Sequence, residues 1–285
     1  MREGNPIMTM LTQPAGGPIL TPEEVGQLVV RPTLSMSVAA DCSTVTSTAS
    51  SSYRIPVVTK DPTAAWVAEG QEINQSEATL DEVTITPAKV AGLTIISREL
   101  ANDTNPAAAG VVGEGLARDI ARKVDEAYFG KLAAPAPAGL DSINPTVAVG
   151  GGSWANLDLF AAALSNAENH NTVVNRFVAN PATVLALSVI KKQTGSVEML
   201  LAPDPSVPGK RTILGVPLLS SPAVAPDVVW AIPQNRAHLV LREGARIEVD
   251  SSVFFTSDRV AVKATMRVGF GFSDPAAVTK LTKGA

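Results

Sequence analysis

Hydrophobic and polar positions alternate with two different periods along the chain, and each period predicts one main element. After Asn105-Pro106, apolar side chains recur every fourth residue with alanines beside them, at Val112, Leu116, Ala117, Ile120, Ala121, Val124, Ala127 and Tyr128. This spacing puts them on one face of a helix that is capped by the asparagine and ends at Gly130. A helix of about 25 residues would be roughly 37 Å long, and we name it the spine helix.

The second period is two residues, and it covers Asp258 to Phe272. Apolar side chains alternate there with polar ones and glycines, at Val260, Val262, Ala264, Met266, Val268, Phe270 and Phe272. Strict alternation predicts an amphipathic strand. We expect its apolar face to pack on the spine helix. Glycines at 110, 113 and 115 suggest that another backbone packs closely against the first turns of that helix.

The stretch from Asp61 to Thr86 has a different character. It contains six acidic residues and no Lys or Arg, while Val83 and Ile85 alternate with threonines. The pattern predicts a long hairpin whose tip is too polar to pack into its own domain, and which lies across other copies of the chain. We name it the hairpin arm. Trp66 belongs either to this contact or to simple packing at the root of the arm.

The strands that flank the arm and the rest of the chain are less sharply patterned. Pro56 within Tyr53–Thr59 predicts a strand at a sheet edge or near a bend, and the return limb runs through Lys89 to Ser97. Residues 1–20 are expected to be an arm or a disordered end. A short helix is expected from Thr21 to the stop at Pro32, and 41–52 are expected to be a linker or an extended strand. Beyond residue 135 we expect an α/β unit made of a helix at 154–169, a strand at 172–179, a helix at 181–192 and strands at 213–219 and 228–232.

Composition narrows the function classes. The 285 residues are 45% hydrophobic, which is enough for a core, and the net charge of −4 argues against a dedicated nucleic-acid binder. A single cysteine, Cys42, forms no internal disulfide and is expected to be a small buried or half-buried side chain. There is no signal peptide and no run of about 18 apolar residues. We therefore expect a protein made in a reducing cytosol, without a membrane segment.

Catalytic and cofactor motifs are absent from the sequence. It contains no phosphate-binding loop, no dinucleotide-binding glycine pattern and no nucleophile elbow. His170 and His238 lack ligand-like neighbours, so we expect a helix-end or solvated histidine and a strand-edge histidine respectively. We expect no cofactor, no metal and no enzymatic activity.

Taken in order, several segments resemble the major capsid proteins of tailed double-stranded DNA bacteriophages, which have the Hong Kong 97 type fold. The resemblance covers most of the chain from about Pro56 onward. It is carried by AAWVAEGQEI, LDEVTITPAKVAGLTIISRELANDT, the spine helix, FVANPATVLALSVIKKQTG, LGVPLLSS, LREGARIEVDSS and DRVAVKATMRVGFGFSDPAAVTKLT.

The resemblance implies an α+β fold with five parts. They are an N-terminal arm at 1–52, an E-loop with its flanking strands at 53–97, the spine helix of a peripheral domain at 98–134, an axial α/β domain at about 135–235, and late peripheral strands with the C-terminus at 236–285. In that fold the E-loop, which is the hairpin arm here, lies over the peripheral domain of the neighbouring subunit. The axial domain meets its copies at the centre of a capsomer.

The implied function is structural. Copies of the chain would assemble as pentamers and hexamers into an icosahedral shell around a double-stranded DNA genome, after synthesis in the host bacterial cytoplasm. Implied partners are a separate scaffolding protein, a portal and, as an open option, a decoration protein, with weak non-specific contact to DNA. An encapsulin shell that holds cargo enzyme is the first alternative, and a small cytosolic α/β enzyme is the second.

Charge suggests where the hairpin arm would bind. An acidic arm needs a basic or neutral seat on another copy, and two sets of basic residues are candidates, one on the spine helix and one on the last long strand. The predicted contact residues are Trp66, Glu69, Glu72, Glu77, Asp81 and Glu82 on the arm, with Arg118, Arg122 and Lys123 or Arg259, Lys263 and Arg267 as the seat.

Some relatives join subunits by an isopeptide bond between an E-loop lysine and a late asparagine. Here Lys60 and Lys89 flank the arm rather than sit at its tip, and no asparagine follows Asn235. We therefore predict a non-covalent shell. About 50 residues precede the first E-loop strand and they are not coil-forming, which is why scaffolding is expected from a separate protein.

Overall fold

Two β-sheets and a separate hairpin organise the residues that the computed structural model describes, which are 37–99, 108–193, 196–201 and 211–284. The helices are α1 (Val38–Asp41), α2 (Ala108–Phe129), α3 (Asp158–Asn169) and α4 (Pro181–Ser188). The strands are β1 (Thr44–Ser47), β2 (Tyr53–Lys60), β3 (Thr79–Ile85), β4 (Ala88–Ser97), β5 (Thr146–Val149), β6 (Arg176–Ala179), β7 (Thr212–Ile213), β8 (Val216–Ser220), β9 (Val228–Ile232), β10 (Ala237–Phe254), β11 (Arg259–Phe272) and β12 (Thr279–Thr282).

The four-stranded sheet has the order β1-β10-β11-β4 and carries α2, the spine helix, on one face. The period-two prediction is confirmed, because all seven apolar side chains of β11 that it identified are buried. Tyr128 of α2 makes edge-on ring contacts with Phe270, at 5.1 Å between ring centroids, and lies 5.6 Å from the ring of Phe272. The strand therefore packs on the spine helix as expected.

The apolar stripe of α2 is also confirmed. Ile120, Val124 and Tyr128 are buried, while Val112 and Leu116 are half-buried towards the start of the helix. Its 22 residues make a rod of roughly 33 Å. The expected cap at Asn105 and the predicted short helix at Thr21 lie outside the described residues.

The prediction of a close backbone at the helix glycines is wrong. A Cβ at Gly110 would meet no atom within 4 Å, and one at Gly113 would lie 3.1 Å from the side chain of Ile247 rather than from a backbone atom. The reason is geometric: among the described residues, β10 reaches the helix at Gly113 through the side chain of Ile247.

The six-stranded sheet has the order β5-β12-β9-β6-β8-β7 and supports a second core with α3 and α4. Phe160 of α3 meets Phe177 of β6 edge-on, with ring centroids 5.2 Å apart. Trp230 and Val178 point to the other side of this sheet and join the core of α2 and β11. One sheet thus contributes to both cores, and the five-part division of the chain stays a prediction.

Several predicted boundaries in this region shift. The helix predicted from Trp154 begins at Asp158, the strand predicted at 172–179 is restricted to 176–179, and α4 ends at Ser188 instead of Lys192. The Asn180 cap of α4 is confirmed, because its Oδ1 accepts a hydrogen bond from the backbone N–H of Ala182 at 3.0 Å. Residues 44–47 of the Ser/Thr tract form a strand, one of its two predicted states.

The two histidines have different outcomes. His170 lies at the C-terminal end of α3, as expected, with its Nδ1 3.0 Å from a carboxylate oxygen of Asp274. The strand-edge prediction for His238 is wrong, because β10 is an interior strand and His238 pairs with Thr44 on one side and Gly271 on the other. Partial burial, with a smaller contribution from Arg236, lowers the pKa of His238.

Candidate intersubunit surface

In the structure the hairpin arm begins earlier than the sequence predicted: it consists of β2, β3 and the connection between them, from Tyr53 to Ile85. The two strands are antiparallel, and residues 61–78 join them without further strand pairing. At the tip, the backbone N–H of Gln71 donates to the carbonyl of Ala68 at 3.1 Å, and Gly70 has a φ of +82°. Glycine is favoured at this third turn position because it adopts positive φ without strain. Ser76 Oγ accepts from the N–H of Thr63 and donates to its carbonyl, each at 3.0 Å.

The root of the arm is fixed by one side chain on two glycines. Ile85, at the end of β3, is 1% exposed. A Cβ at Gly269 would lie 2.7 Å from Ile85 Cγ2, and one at Gly271 would lie 2.6 Å from Ile85 Cγ1. These glycines alternate along β11 with Phe270 and Phe272, so they face away from α2. The arm therefore leaves the sheet on the face opposite the spine helix.

Beyond its root, the arm exposes large apolar side chains. Trp66 is fully exposed, and Val58, Val67, Ile73 and Leu80 are 40–76% exposed. No residue in the described part of the chain covers them. Packing of Trp66 at the root of the arm, which was the alternative prediction, is therefore wrong, because Trp66 lies near the tip. Several large apolar side chains exposed on one short segment of a folded protein are typical of a binding surface.

The predicted acidic residues of the arm are exposed as well. Glu82 pairs with Arg54 across the two strands, at 3.4 Å between Glu82 Oε1 and Arg54 Nη1. Within the described ranges, no ion-pair partner is found for the other four predicted acids, which are Glu69, Glu72, Glu77 and Asp81. The arm is thus acidic and apolar at once.

On α2, the three predicted seat residues are exposed but paired within the helix. Arg118 lies 3.9 Å from Glu114, and Lys123 Nζ donates to Glu126 at 2.7 Å. Arg122 pairs with Asp119, and its Nε lies 4.0 Å from Glu126. Exposed pairs of this kind contribute little to stability, so they can exchange partners readily.

On β11, two of the three predicted seat residues pair with the adjacent strand β10. Lys263 binds Glu248, and its hydrogen bond holds the pKa of that carboxyl below the usual range. Arg267 lies 3.5 Å from Glu243. Arg259 is exposed and has no ion-pair partner among the described residues. One chain does not bring the acidic arm and these cations together, and their contact stays a prediction.

Sequence reasoning missed an apolar groove between β4, α2 and the loop at 131–137. Its volume is about 590 Å³. Small residues on β4 and the proline-alanine loop leave this space open, but neither segment indicates a cavity when it is read alone. Residues that line the groove include Lys89, Gly92, Leu116, Lys123, Leu132 and Phe270.

A buried carboxylate, also missed, ties the first described residues to the spine helix. Asp125 is 6% exposed. It accepts hydrogen bonds from Ser37 Oγ at 2.7 Å, from the N–H of Val38 at 3.1 Å and from the N–H of Ala39 at 3.0 Å. Burial raises the pKa of Asp125, and these three hydrogen bonds oppose that rise. The isolated sequence offered no signal for this contact.

The described residues contain no group of three His, Cys, Asp or Glu side chains placed to hold a metal ion. Among the helices in those residues, none combines the length and apolar character that a membrane crossing requires.

A folded body with an uncovered, partly apolar arm defines a class of protein, namely a subunit that other chains complete. The comparisons with known proteins specify the family. The phage capsid family model matches residues 17–283. The chain therefore belongs to the phage capsid family.

Individual relatives are distant in sequence. The capsid polyprotein of Pseudomonas phage PAJU2 is 26% identical over 217 residues, covering 70% of this chain and 31% of that protein. The chain thus spans about a third of the length of this curated relative.

Among solved structures, the capsid of an empty GTA particle has a TM-score of 0.74 at 18% identity, covering 88% of this chain and 90% of that one. A solved structure from Mycobacterium phage Adephagia has a TM-score of 0.74 at 15% identity, covering 87% of this chain and 90% of that one. The capsid of a native GTA particle has a TM-score of 0.69 at 18% identity, covering 98% and 96%. The expected Hong Kong 97 type fold is confirmed.

Proposed function

We propose that copies of this chain assemble, as pentamers and hexamers, into an icosahedral shell around a double-stranded DNA genome. The hairpin arm of each copy lies over the body of its neighbour. One observation carries the proposal: an arm that extends from Tyr53 to Ile85 and exposes Trp66, Ile73 and Leu80 to solvent. A contact with another copy would remove this apolar surface from water, at a gain of about 25 cal/mol for each Å² buried.

The function is assembly rather than catalysis, and family membership supports this. The acidic net charge of −4 fits a wall that encloses DNA without gripping it, because tight phosphate binding needs clustered cations. Synthesis in the host cytoplasm, a separate scaffolding protein, a portal and a decoration protein belong to the same proposal. The scaffolding, portal and decoration proteins can each be tested by co-expression with this chain.

The test is purification of the full chain, with and without a candidate scaffolding protein from the same phage, followed by sedimentation and negative-stain microscopy. We expect closed particles of uniform size, which package nuclease-resistant DNA when portal and packaging proteins are present. A chain that stays monomeric under all of these conditions would contradict the proposal. Particles that hold an enzyme instead of DNA would indicate an encapsulin.

A further inference from the structure

We infer that the groove between β4, α2 and the 131–137 loop receives Trp66 of a second copy of this chain. This rests on the proposed assembly and names the contact that joins one subunit to the next. It pairs two surfaces of the same molecule, one protruding and one concave, which a single chain leaves apart.

The groove has the size and lining for an aromatic side chain. Its volume of about 590 Å³ lies within the range of 300–1,000 Å³ that is usual for binding pockets in proteins. Leu116, Ile120 and Val124 of α2 form one wall, and Val90 and Gly92 of β4 form another. Leu132 lies at the lip and is 48% exposed. An indole ring would find apolar atoms on both sides.

Trp66 is the largest solvent-exposed apolar side chain among the residues that the structure describes. It is fully exposed, whereas the other two tryptophans, Trp154 and Trp230, are 8% and 1% exposed. Tryptophan is enriched among the residues that dominate binding energy, because one side chain brings a large apolar area with few rotatable bonds. It lies in the 61–78 connection, beyond the paired strands of the arm and next to the turn at 68–71.

Charge orients the contact. Glu69 and Glu72 flank the tip near Trp66, and the arm from Asp61 to Thr86 contains no Lys or Arg. Lys123 and Asp119 lie at the groove, paired with Glu126 and Arg122 respectively. Lys89 also borders the groove, but its register with Arg267 puts its side chain on the face of the sheet opposite α2. The Lys123–Glu126 pair is exposed, so Lys123 can exchange Glu126 for an acid of the arriving tip, which favours this docking over the reverse one.

The contact would be heterologous, since the arm of one copy binds the groove of the next. Heterologous contacts that close generate rings, as pentamers and hexamers require.

Disulfide trapping tests the position of Trp66. The full chain carrying both Trp66→Cys and Leu132→Cys is assembled into particles. The particles are then oxidised and run on a non-reducing denaturing gel. We expect multimers larger than dimers, because each chain would form one bond through its arm and another through its groove. Native Cys42 is fully buried, so it gives no background. The matched control is Trp66→Cys with Val147→Cys, on β5, where Val147 is 54% exposed but remote from the groove.

Each outcome decides a different question. Particles without multimers, multimers equally abundant in the control, or a bond within one chain would each overturn the inference and leave the proposed assembly intact. Multimers from Leu132→Cys with Thr12→Cys, but not with Trp66→Cys, would assign the groove to the N-terminal segment and also overturn it. Failure of the unaltered chain to form particles would count against the proposed function itself.

A second variant separates contact from folding. Trp66→Ser should leave the subunit folded, since the side chain is fully exposed, and should raise the subunit concentration needed for assembly at least about tenfold. Trp66→Phe should recover most of that loss. Unchanged assembly of Trp66→Ser would contradict the inference, and unaltered circular dichroism serves as the control for folding.

Discussion

At the scale of single residues, two buried contacts hold the parts that the shell contact depends on. Asp125 fixes residues 37–39 against the spine helix, and Ile85 fixes the hairpin arm on Gly269 and Gly271. Neither contact follows from a local pattern, because each joins residues that are far apart in sequence. Periodicity predicts which face of an element is buried, but it does not predict which distant residue lies against that face.

Asp125 should make the stability of the unassembled subunit depend on pH. Its folded pKa is raised above the unfolded value near 4, so the folded chain binds more protons than the unfolded chain between these two pKa values. The contribution of Asp125 to the free energy of unfolding is therefore largest at low pH and falls as pH rises through the folded pKa. Urea unfolding from pH 4 to 7 measures this slope.

Asp125→Asn should remove that slope and also destabilise the subunit at pH 7, by about 1–3 kcal/mol, because the amide leaves at least one of the three donors without an acceptor. Glu114→Gln, at an exposed position of α2, is the matched control and should change little. Parallel pH profiles for the parent and Asp125→Asn would contradict this assignment.

Gly271→Ala should disturb the root of the arm. The added Cβ would lie 2.6 Å from Ile85 Cγ1, so Ile85 must move, at a cost of about 1–3 kcal/mol. Combination with Ile85→Val should recover part of the loss, because the two changes act on one contact. Gly110→Ala, where no atom lies within 4 Å of the new Cβ, should instead stabilise α2 slightly. Thermal unfolding of all four variants measures these effects, and purely additive losses would contradict the contact.

At the scale of elements, the sequence predicted what is regular and missed what is interrupted. The spine helix and β11 were found because their periods run unbroken. β10 is longer, at 18 residues, but shifts of register near Glu243 and Arg246 break its alternation. β5 and β12 have four residues each, which is too short for a period to be recognised.

The hairpin arm was predicted from its acids, but the features that the surface depends on were only half visible. Trp66 and the acidic tip could be identified from sequence. The groove could not, because it arises where β4, α2 and a proline-rich loop meet, and no one of these segments encodes a cavity by itself.

Reversal of the arm's charge should impair assembly without unfolding the subunit. In Glu69→Lys with Glu72→Lys and Glu77→Lys, three exposed side chains change sign and would face the lysines and arginines proposed as their seat. We expect a folded subunit by circular dichroism and few or no particles by microscopy. Replacement of the same three residues with glutamine is the control for side-chain size and should have a weaker effect. Normal particles from the lysine variant would rule out an electrostatic contribution.

At the scale of the whole molecule, the shell is predicted to be held by non-covalent contacts. Lys60 is exposed at the end of β2, Lys89 lies at the groove, and no asparagine follows Asn235. Mature particles boiled in denaturant should therefore run as single chains on a gel. A ladder of multimers from the unaltered protein would contradict this prediction. Mass spectrometry of the joined peptide would then identify a covalent link other than a bond from an E-loop lysine to a late asparagine.

The position of β12 has a consequence for synthesis. This strand lies between β5 and β9 in the six-stranded sheet. The strand β5, which begins at Thr146, therefore cannot join the sheet until β12, which ends at Thr282, has been synthesised. At a translation rate of about 5–20 residues per second, the wait is on the order of ten seconds. During that time the ribosome holds a chain with an open sheet, and we expect it to be unable to enter a growing shell. Synthesis of β12 would thus be the step after which a subunit can join the particle.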